Sequence, residues 1–370
     1  MKLENIIILE DSSKAKFGGG QNITLKIVEN LKKKYKIVVA DCSEKSIFNM
    51  ELKKQQVGIL KLLCAGDVSK SRIKFFFELL VSVLFTFLNL IRIYKYFKLH
   101  KYRKENTVLY AMTKKALFLT YILHRLFHYP FIYHAHMVEK WYILKVIKYF
   151  LFSAKEIVCV SEVVEEQLKG FKTIIVYNPI KINSQVKVKT LNKNNVKIAT
   201  ISSLNYIKGI EYFMKSYQYL NVNYKMQYEV YGDGEYRKKL QKYENENIIL
   251  KGYINDSVSI LIDEVDILVV PSIVPESFGM VILEAFSCGV PVISTDVGMQ
   301  KILIENSKAG KVVKIENSKE IADAISSLLI NREEYILYSK NAIKFAKNFN
   351  TKIFNDKIEN IFKDCDITSK

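Results

Sequence analysis

Residues 266–298, DILVVPSIVPESFGMVILEAFSCGVPVISTDVG, decide how this chain is read. Ile267–Val270 is a short, wholly apolar run stopped by Pro271, the pattern of a strand buried on both faces of a parallel sheet. A loop through Glu276 leads to a helix that opens near Phe278, Gly279 and Met280 and ends at Gly289, a natural residue to follow a helix. A second apolar run, residues 290–294, comes next. The whole is one strand–helix–strand unit, and its first loop lies at the carboxyl edge of the sheet, where open α/β sheets bind ligands. Backbone N–H groups around Gly279 and Met280 suit a diphosphate or sugar hydroxyls. Glu276 in the loop and Glu284 more than one turn into the helix are placed to hold hydroxyls at opposite ends of an extended polar ligand. A plainer reading fits the spacing too, with Glu276 favoured by the helix dipole and Glu284 on solvated helix surface.

Outward from this unit, short apolar runs alternate with helical patterns along the chain. Strands are expected at residues 5–9, 36–40, 108–111, 131–134, 157–160 and 173–176, and again at 196–201, 227–231, 247–250, 267–270 and 290–294. Helices are expected at 22–33 and 114–126, then at 209–220, 235–243, 279–287, 318–331 and 332–348. The alternation occurs twice, which implies two parallel sheets flanked by helices. The polar, Asn- and Lys-rich stretch 178–195, with Pro179 near its start, reads as the connection between them. The expected organisation is a first domain at 1–180, a linker at 181–195, a second domain at 196–348 and a C-terminal helix at 349–370 that crosses back to the first.

Charge separates the two halves. The 370 residues carry 56 Lys and Arg against 38 Asp and Glu, a net of +18. Residues 1–190 hold 33 basic and 15 acidic side chains, and residues 191–370 hold 23 of each, so the whole excess sits in the first half. That pattern, with no nucleic-acid motif, argues against a general nucleic-acid coat and for one basic face on one domain. Five scattered cysteines, none spaced as C-x-x-C, argue against a disulfide framework or a structural zinc and for reduced thiols in the cytosol. The only D-x-D, Asp364-Cys365-Asp366, lies in the tail, so no metal site is expected. The opening run Ile6-Ile7-Ile8-Leu9 is too short for a signal peptide and reads as a buried strand.

Residues 75–91 are almost wholly apolar, and Arg92, Lys95, Lys98, Lys101, Arg103 and Lys104 follow, interleaved with tyrosines and Phe97. The run, which contains Glu78, is shorter than the roughly 20 apolar residues of a spanning helix. It suits a helix at an anionic membrane surface. Residues 141–152 repeat the mixture of aromatic, aliphatic and lysine side chains. Two buried helices with lysines reaching out at their edges would give the same pattern.

The quoted stretch resembles the donor-binding core of retaining glycosyltransferase family 4, with Glu276 and Glu284 in the place of its E-x7-E element. Other landmarks of that family follow in order: Lys208-Gly209, Tyr231-Gly232-Asp233-Gly234 and Lys251-Gly252-Tyr253 in the second half. In the first half, Gly18-Gly19-Gly20 resembles its glycine-rich loop, His134-Ala135-His136 falls where it carries an active-site residue, and Val160-Ser161-Glu162 resembles its VSE. The resemblance implies a GT-B fold, α/β, with two Rossmann-like domains facing a central cleft. It implies transfer of a hexosyl unit, with retention, from a UDP- or GDP-linked sugar to a saccharide or lipid-linked saccharide in cell-surface polysaccharide or glycolipid synthesis. The nucleotide sugar is a co-substrate, and no other cofactor and no metal is implied.

In the roles the resemblance implies, Glu284 binds the ribose, and Glu276 holds the donor sugar with Ser277 and the backbone of Phe278, Gly279, Met280 and Val281. Lys208 neutralises the departing diphosphate. Gly19, Gly20, Gly232 and Tyr253 complete the donor site, and Ser203 stands where the family commonly has an Arg, five residues before the lysine. His134 and His136 are expected to point different ways across a strand end, with His136 toward the cleft. The protein is expected to be cytoplasmic, peripheral on the inner face of the plasma membrane. An alternative is a non-catalytic nucleotide-sugar-binding scaffold subunit, for which Ser203 is the one hint.

Overall fold

The computed structural model describes residues 2–10, 18–42, 46–63, 72–182, 185–191, 195–222, 224–254 and 256–363, with the backbone alone for 72–80. The chain forms two units, one from Met1–Val176 with Phe354–Lys370 and one from Tyr177–Ile353.

In the first unit the apolar runs become β1 (Asn5–Glu10), β2 (Lys36–Asp41), β3 (Gly58–Lys61), β4 (Thr107–Ala111), β5 (Phe131–Ala135), β6 (Glu156–Cys159) and β7 (Thr173–Ile175). All pair in parallel, in the order β3-β2-β1-β4-β5-β6-β7. In β1 every residue is buried, because helices cover both faces of the sheet. Between the strands run α1 (Gly19–Leu31), α2 (Ile47–Lys54), α3 (Arg72–Leu99), α4 (Lys114–Phe127), α5 (Trp141–Leu151) and α6 (Glu162–Gln167).

The second unit contains β8 (Val196–Ile201), β9 (Met226–Tyr231), β10 (Ile248–Gly252), β11 (Ile267–Val270), β12 (Val292–Thr295) and β13 (Gly310–Val313). Its sheet is parallel too, in the order β10-β9-β8-β11-β12-β13. The connecting helices are α7 (Ile210–Ser216), α8 (Arg237–Leu240), α9 (Ser257–Asp263), α10 (Met280–Ser287), α11 (Gly298–Ser307), α12 (Ser318–Ile330) and α13 (Arg332–Ala346). A last helix, α14 (Thr351–Lys363), carries Phe354, Ile358, Ile361 and Phe362 on one face, and these pack into the core of the first unit. Residues 364–370, with the D-x-D, lie outside the described residues.

Three features add to the sequence reading. β3 and β13, the short edge strands of their sheets, have no counterpart among the expected strands. The linker segment packs against the second unit. Lys189 reaches the carbonyls of Leu261, Ile262 and Val265 at 2.9, 2.9 and 2.6 Å, closing the end of α9, and Leu191 joins the second core. Finally, α3 and α5 are amphipathic in an unusual direction. Ile93 and Phe97 of α3 and Ile147 and Leu151 of α5 are buried, while Val83, Phe87, Trp141, Val146 and Tyr149 are exposed. These helices are therefore only partly buried. Among the described residues no helix is long and apolar enough to cross a membrane.

Candidate functional site

In the second sheet the strand order reverses between β8 and β11, and side loops diverge there to leave a crevice at the carboxyl ends of the strands. A cavity of about 190 Å³ occupies that place. Its walls are the end of β8 and the chain through Ser203, then Lys208, Ser272, Glu276, Met280 and Val281.

Local geometry brings these side chains together. Lys208 ends a single tight turn, and Gly209 follows in the left-handed conformation, φ +62°, where a Cβ would lie 1.9 Å from the Pro271 carbonyl oxygen. That contact seats the lysine loop on the loop after β11, and the Ile273 N–H donates to the Ile207 carbonyl at 2.8 Å to join them. Gly232 does the same one strand away, since a Cβ there would come within 1.8 Å of the Ser202 carbonyl oxygen.

Lys208 Nζ then lies 2.5 Å from Glu276 Oε1, with both side chains about a fifth exposed. Ser272 Oγ donates to the same oxygen at 2.9 Å, and Thr295 Oγ1 donates to the Ser272 carbonyl at 2.6 Å. The Glu276 N–H donates to Oε1 of the fully buried Gln300 at 3.1 Å. Helix α10 opens at Met280 and Val281, whose N–H groups have no carbonyl one turn back to meet. The site thus offers an ammonium, a fixed carboxylate and a helix N-terminus around one small polar cavity, a combination suited to a hydroxylated, phosphorylated ligand.

Of the residues singled out from sequence, Ser203, Lys208, Glu276, Met280 and Val281 line this cavity. Ser277 and Gly279 adjoin it in the chain, and the Phe278 ring turns inward against Tyr177 and Phe349. Ser203 is exposed and accepts a hydrogen bond from Asn205 at 3.0 Å. Glu284 is off the cavity wall and accepts from Ser257 Oγ at 2.6 Å. Tyr253 is 73% exposed on the loop after β10. Gly19 and Gly20 belong to the first unit as the opening residues of α1, and a Cβ at either would meet nothing within 4 Å. The sequence reading did not single out Ser272 or Gln300. Ser272 directly follows the strand-ending proline, a usable signal, whereas a lone Gln in a helix carries none.

His134 and His136 point the same way. Residues two apart along a strand share a face, and their rings stack with centroids 4.1 Å apart and 22° between planes. The Tyr110 hydroxyl is 2.8 Å from His134 Nδ1. Burial lowers His136 to about 4 and, with His136 beside it, holds His134 well below the usual imidazole range. Both rings are therefore neutral at neutral pH, and neither Nε2 has a partner among the described residues. Among those residues no group of three or more His, Cys, Asp and Glu side chains is placed to hold a metal ion.

Residues 181–345 match the family model for glycosyl transferases group 1. An uncharacterized glycosyltransferase of Methanocaldococcus jannaschii is 26% identical over 211 residues, 55% of this chain and 57% of that protein. A 41.2 kDa protein of the cps region of Klebsiella pneumoniae is 27% identical over 169 residues, 43% of this chain and 46% of that one. The chain thus spans about half the length of these curated relatives. Among solved structures, Anabaena HepE in complex with UDP superposes with a TM-score of 0.78 at 20% identity, covering 98% of this chain and 100% of that one. Both sheets have the strand order and layering of a GT-B fold, and the stretch that forms the β8–β11 site lies within a match to the glycosyl transferases group 1 family.

Proposed function

We propose that this protein is a retaining glycosyltransferase. It moves a hexosyl unit from a UDP- or GDP-linked sugar to a saccharide or lipid-linked saccharide, in cell-surface polysaccharide or glycolipid synthesis, without a metal ion. The observation that carries the proposal is the Lys208–Glu276 pair in a cavity at the strand-order reversal of a sheet. In this reading the donor's diphosphate separates the pair. Lys208 turns to the phosphate and stabilises the charge that develops as the nucleotide departs, while Glu276 accepts hydrogen bonds from hydroxyls of the donor sugar. Ser272 and Gln300 keep Glu276 in place when its lysine partner moves. Glu284 holds the ribose, with Ser257 fixing its carboxylate. In the first unit, neutral His134 and His136 suit hydrogen bonding to a sugar hydroxyl and do not suit the role of a cation. The exposed apolar and aromatic side chains of α3 and α5, beside lysines, support docking on the anionic inner face of the plasma membrane.

A thermal-shift series without added metal tests this, using UDP, GDP, ADP and their sugars. A ligand at a hundred times its Kd stabilises the native state by about 2.7 kcal/mol, so one nucleotide should stand out. The shift should vanish in Lys208→Ala. No shift with any nucleotide would overturn the transferase reading, and with it the nucleotide-sugar-binding scaffold alternative, with Ser203 the first residue to revisit.

A further inference from the structure

A second cavity, in the first unit, has no part in the site above. It measures about 650 Å³, within the roughly 300–1,000 Å³ usual for ligand sites, and lies among α3, α4 and α5. Its walls carry Val83 and Phe87 from α3, Phe118 and Ile122 from α4, and Val146 and Phe150 from α5.

Two of the polar side chains in those walls are already paired. Asn89 accepts from the Leu63 N–H at 2.7 Å and donates to the Leu63 carbonyl at 2.9 Å, and Thr86 Oγ1 donates to the Ser82 carbonyl at 2.8 Å. A sugar or nucleotide placed here would find few partners for its hydroxyls, and the lining of aliphatic and aromatic side chains favours hydrocarbon. Among the described residues, the charged side chains that line the cleft are cationic. Lys114 and Lys115 line it as the first two residues of α4, a helix with no acidic residue in its first turn. Two ammonium groups there add to the positive end of the helix dipole, and an anion would relieve them. Glu139, 3.0 Å from Lys114, meets part of that charge.

We propose that this cleft holds the hydrocarbon chain of a lipid phosphate, with the phosphate beside Lys114 and Lys115. The inference rests on the reading of the acceptor as lipid-linked and names its anchor: one chain drawn out of the bilayer into the first unit. Side chains exposed at the rim, Val83 at 61% and Val146 at 55%, are then the surface over which the chain enters.

Calorimetric titration of the full chain with dodecyl phosphate, kept below its micelle concentration, tests the cleft directly. The expected result is saturable binding of one molecule per chain, at least tenfold tighter than dodecyltrimethylammonium, with no heat from inorganic phosphate alone. Val146→Glu and, on another helix, Val83→Glu should each weaken binding at least tenfold. Both positions are exposed, so the new carboxylate adds no buried charge to the empty protein. Lys115→Glu should reduce the preference for dodecyl phosphate over the cationic amphiphile. Absence of saturable binding, equal binding of both amphiphiles, or binding unchanged in both valine variants would overturn the proposal. Co-sedimentation with vesicles of anionic phospholipid and the nucleotide thermal shift separate the failures. Vesicle binding without dodecyl phosphate binding removes the cleft and leaves membrane docking. Dodecyl phosphate binding without any nucleotide shift keeps the cleft and removes the transferase reading.

Discussion

The two units repeat one strand order and put different chemistry on it. In the second, the carboxyl ends of β8 and β11 gather a lysine, a carboxylate, a serine hydroxyl and a helix N-terminus around a small polar cavity. In the first, the matching strand β1 ends in Glu10, 4% exposed, which accepts from Thr24 Oγ1 at 2.5 Å, and the larger cavity lies out among the helices with hydrocarbon walls. The net charge leans the same way, +14 for Met1–Val176 with Phe354–Lys370 and +4 for Tyr177–Ile353. A shared strand order therefore does not by itself place a cavity, and loops and helix surfaces decide where one opens and what lines it.

The largest effects should come from the polar cavity. Removing the cation by Lys208→Ala is expected to lower kcat for sugar transfer about a hundred- to a thousandfold, with the far-ultraviolet circular dichroism unchanged. A variant that kept full turnover would erase the functional contrast between the units.

Glycines sharpen the comparison next. Gly232→Ala forces a Cβ against the Ser202 carbonyl at a φ of +132° and should destabilise the second unit by about 4 kcal/mol in urea unfolding. Gly19→Ala, the smallest of the expected effects, should stabilise α1 by about 0.5–1 kcal/mol, since its Cβ meets open space in a helix. Equal costs at the two positions would show that the first unit's glycine is held as tightly as the second's.

Between these lies a pH effect confined to the first unit. His136 falls from an ordinary 6.5 to about 4 because burial disfavours its charged form. The unfolded chain therefore binds the proton first. Stability from this group is fully present above about pH 6.5 and is lost as pH falls toward 4, by about 3 kcal/mol. Urea midpoints at pH 7 and pH 4 should differ by that much more in the native sequence than in His136→Asn. An identical pH dependence in both would place the loss elsewhere.

Legibility in the sequence followed burial. Ile267–Val270 stands where its apolar run lies, because a strand covered on both faces has no polar positions to blur its ends. β3 and β13 are four residues each, half exposed and on sheet edges, so GILK and GKVV carry neither a run nor a clean alternation. Helix α11 begins at Gly298 with no acidic residue in its first turn and no side-chain cap, which hides its start. At the site, Lys208 and Glu276 are 68 residues apart, and the pairing of β8 with β11 and the turn at Gly209 bring them together. The histidine expectation failed on elementary geometry, since a period of two puts alternate residues on one face.

Helix α14 carries one more consequence, for the order in which the protein is made. The second unit is a single uninterrupted segment, Tyr177–Ile353, whereas the first is closed by residues synthesised after all of it. Phe354, Ile358, Ile361 and Phe362 fill a core whose other members end at Val176, and Asn30 donates to the Asn355 carbonyl at 3.1 Å across 325 positions. At about 5–20 residues per second, the first sheet waits on the order of ten seconds or more at the ribosome with part of its apolar face uncovered. The unit begun first is thus the one finished last, and exposure to chaperones during synthesis should concentrate on it.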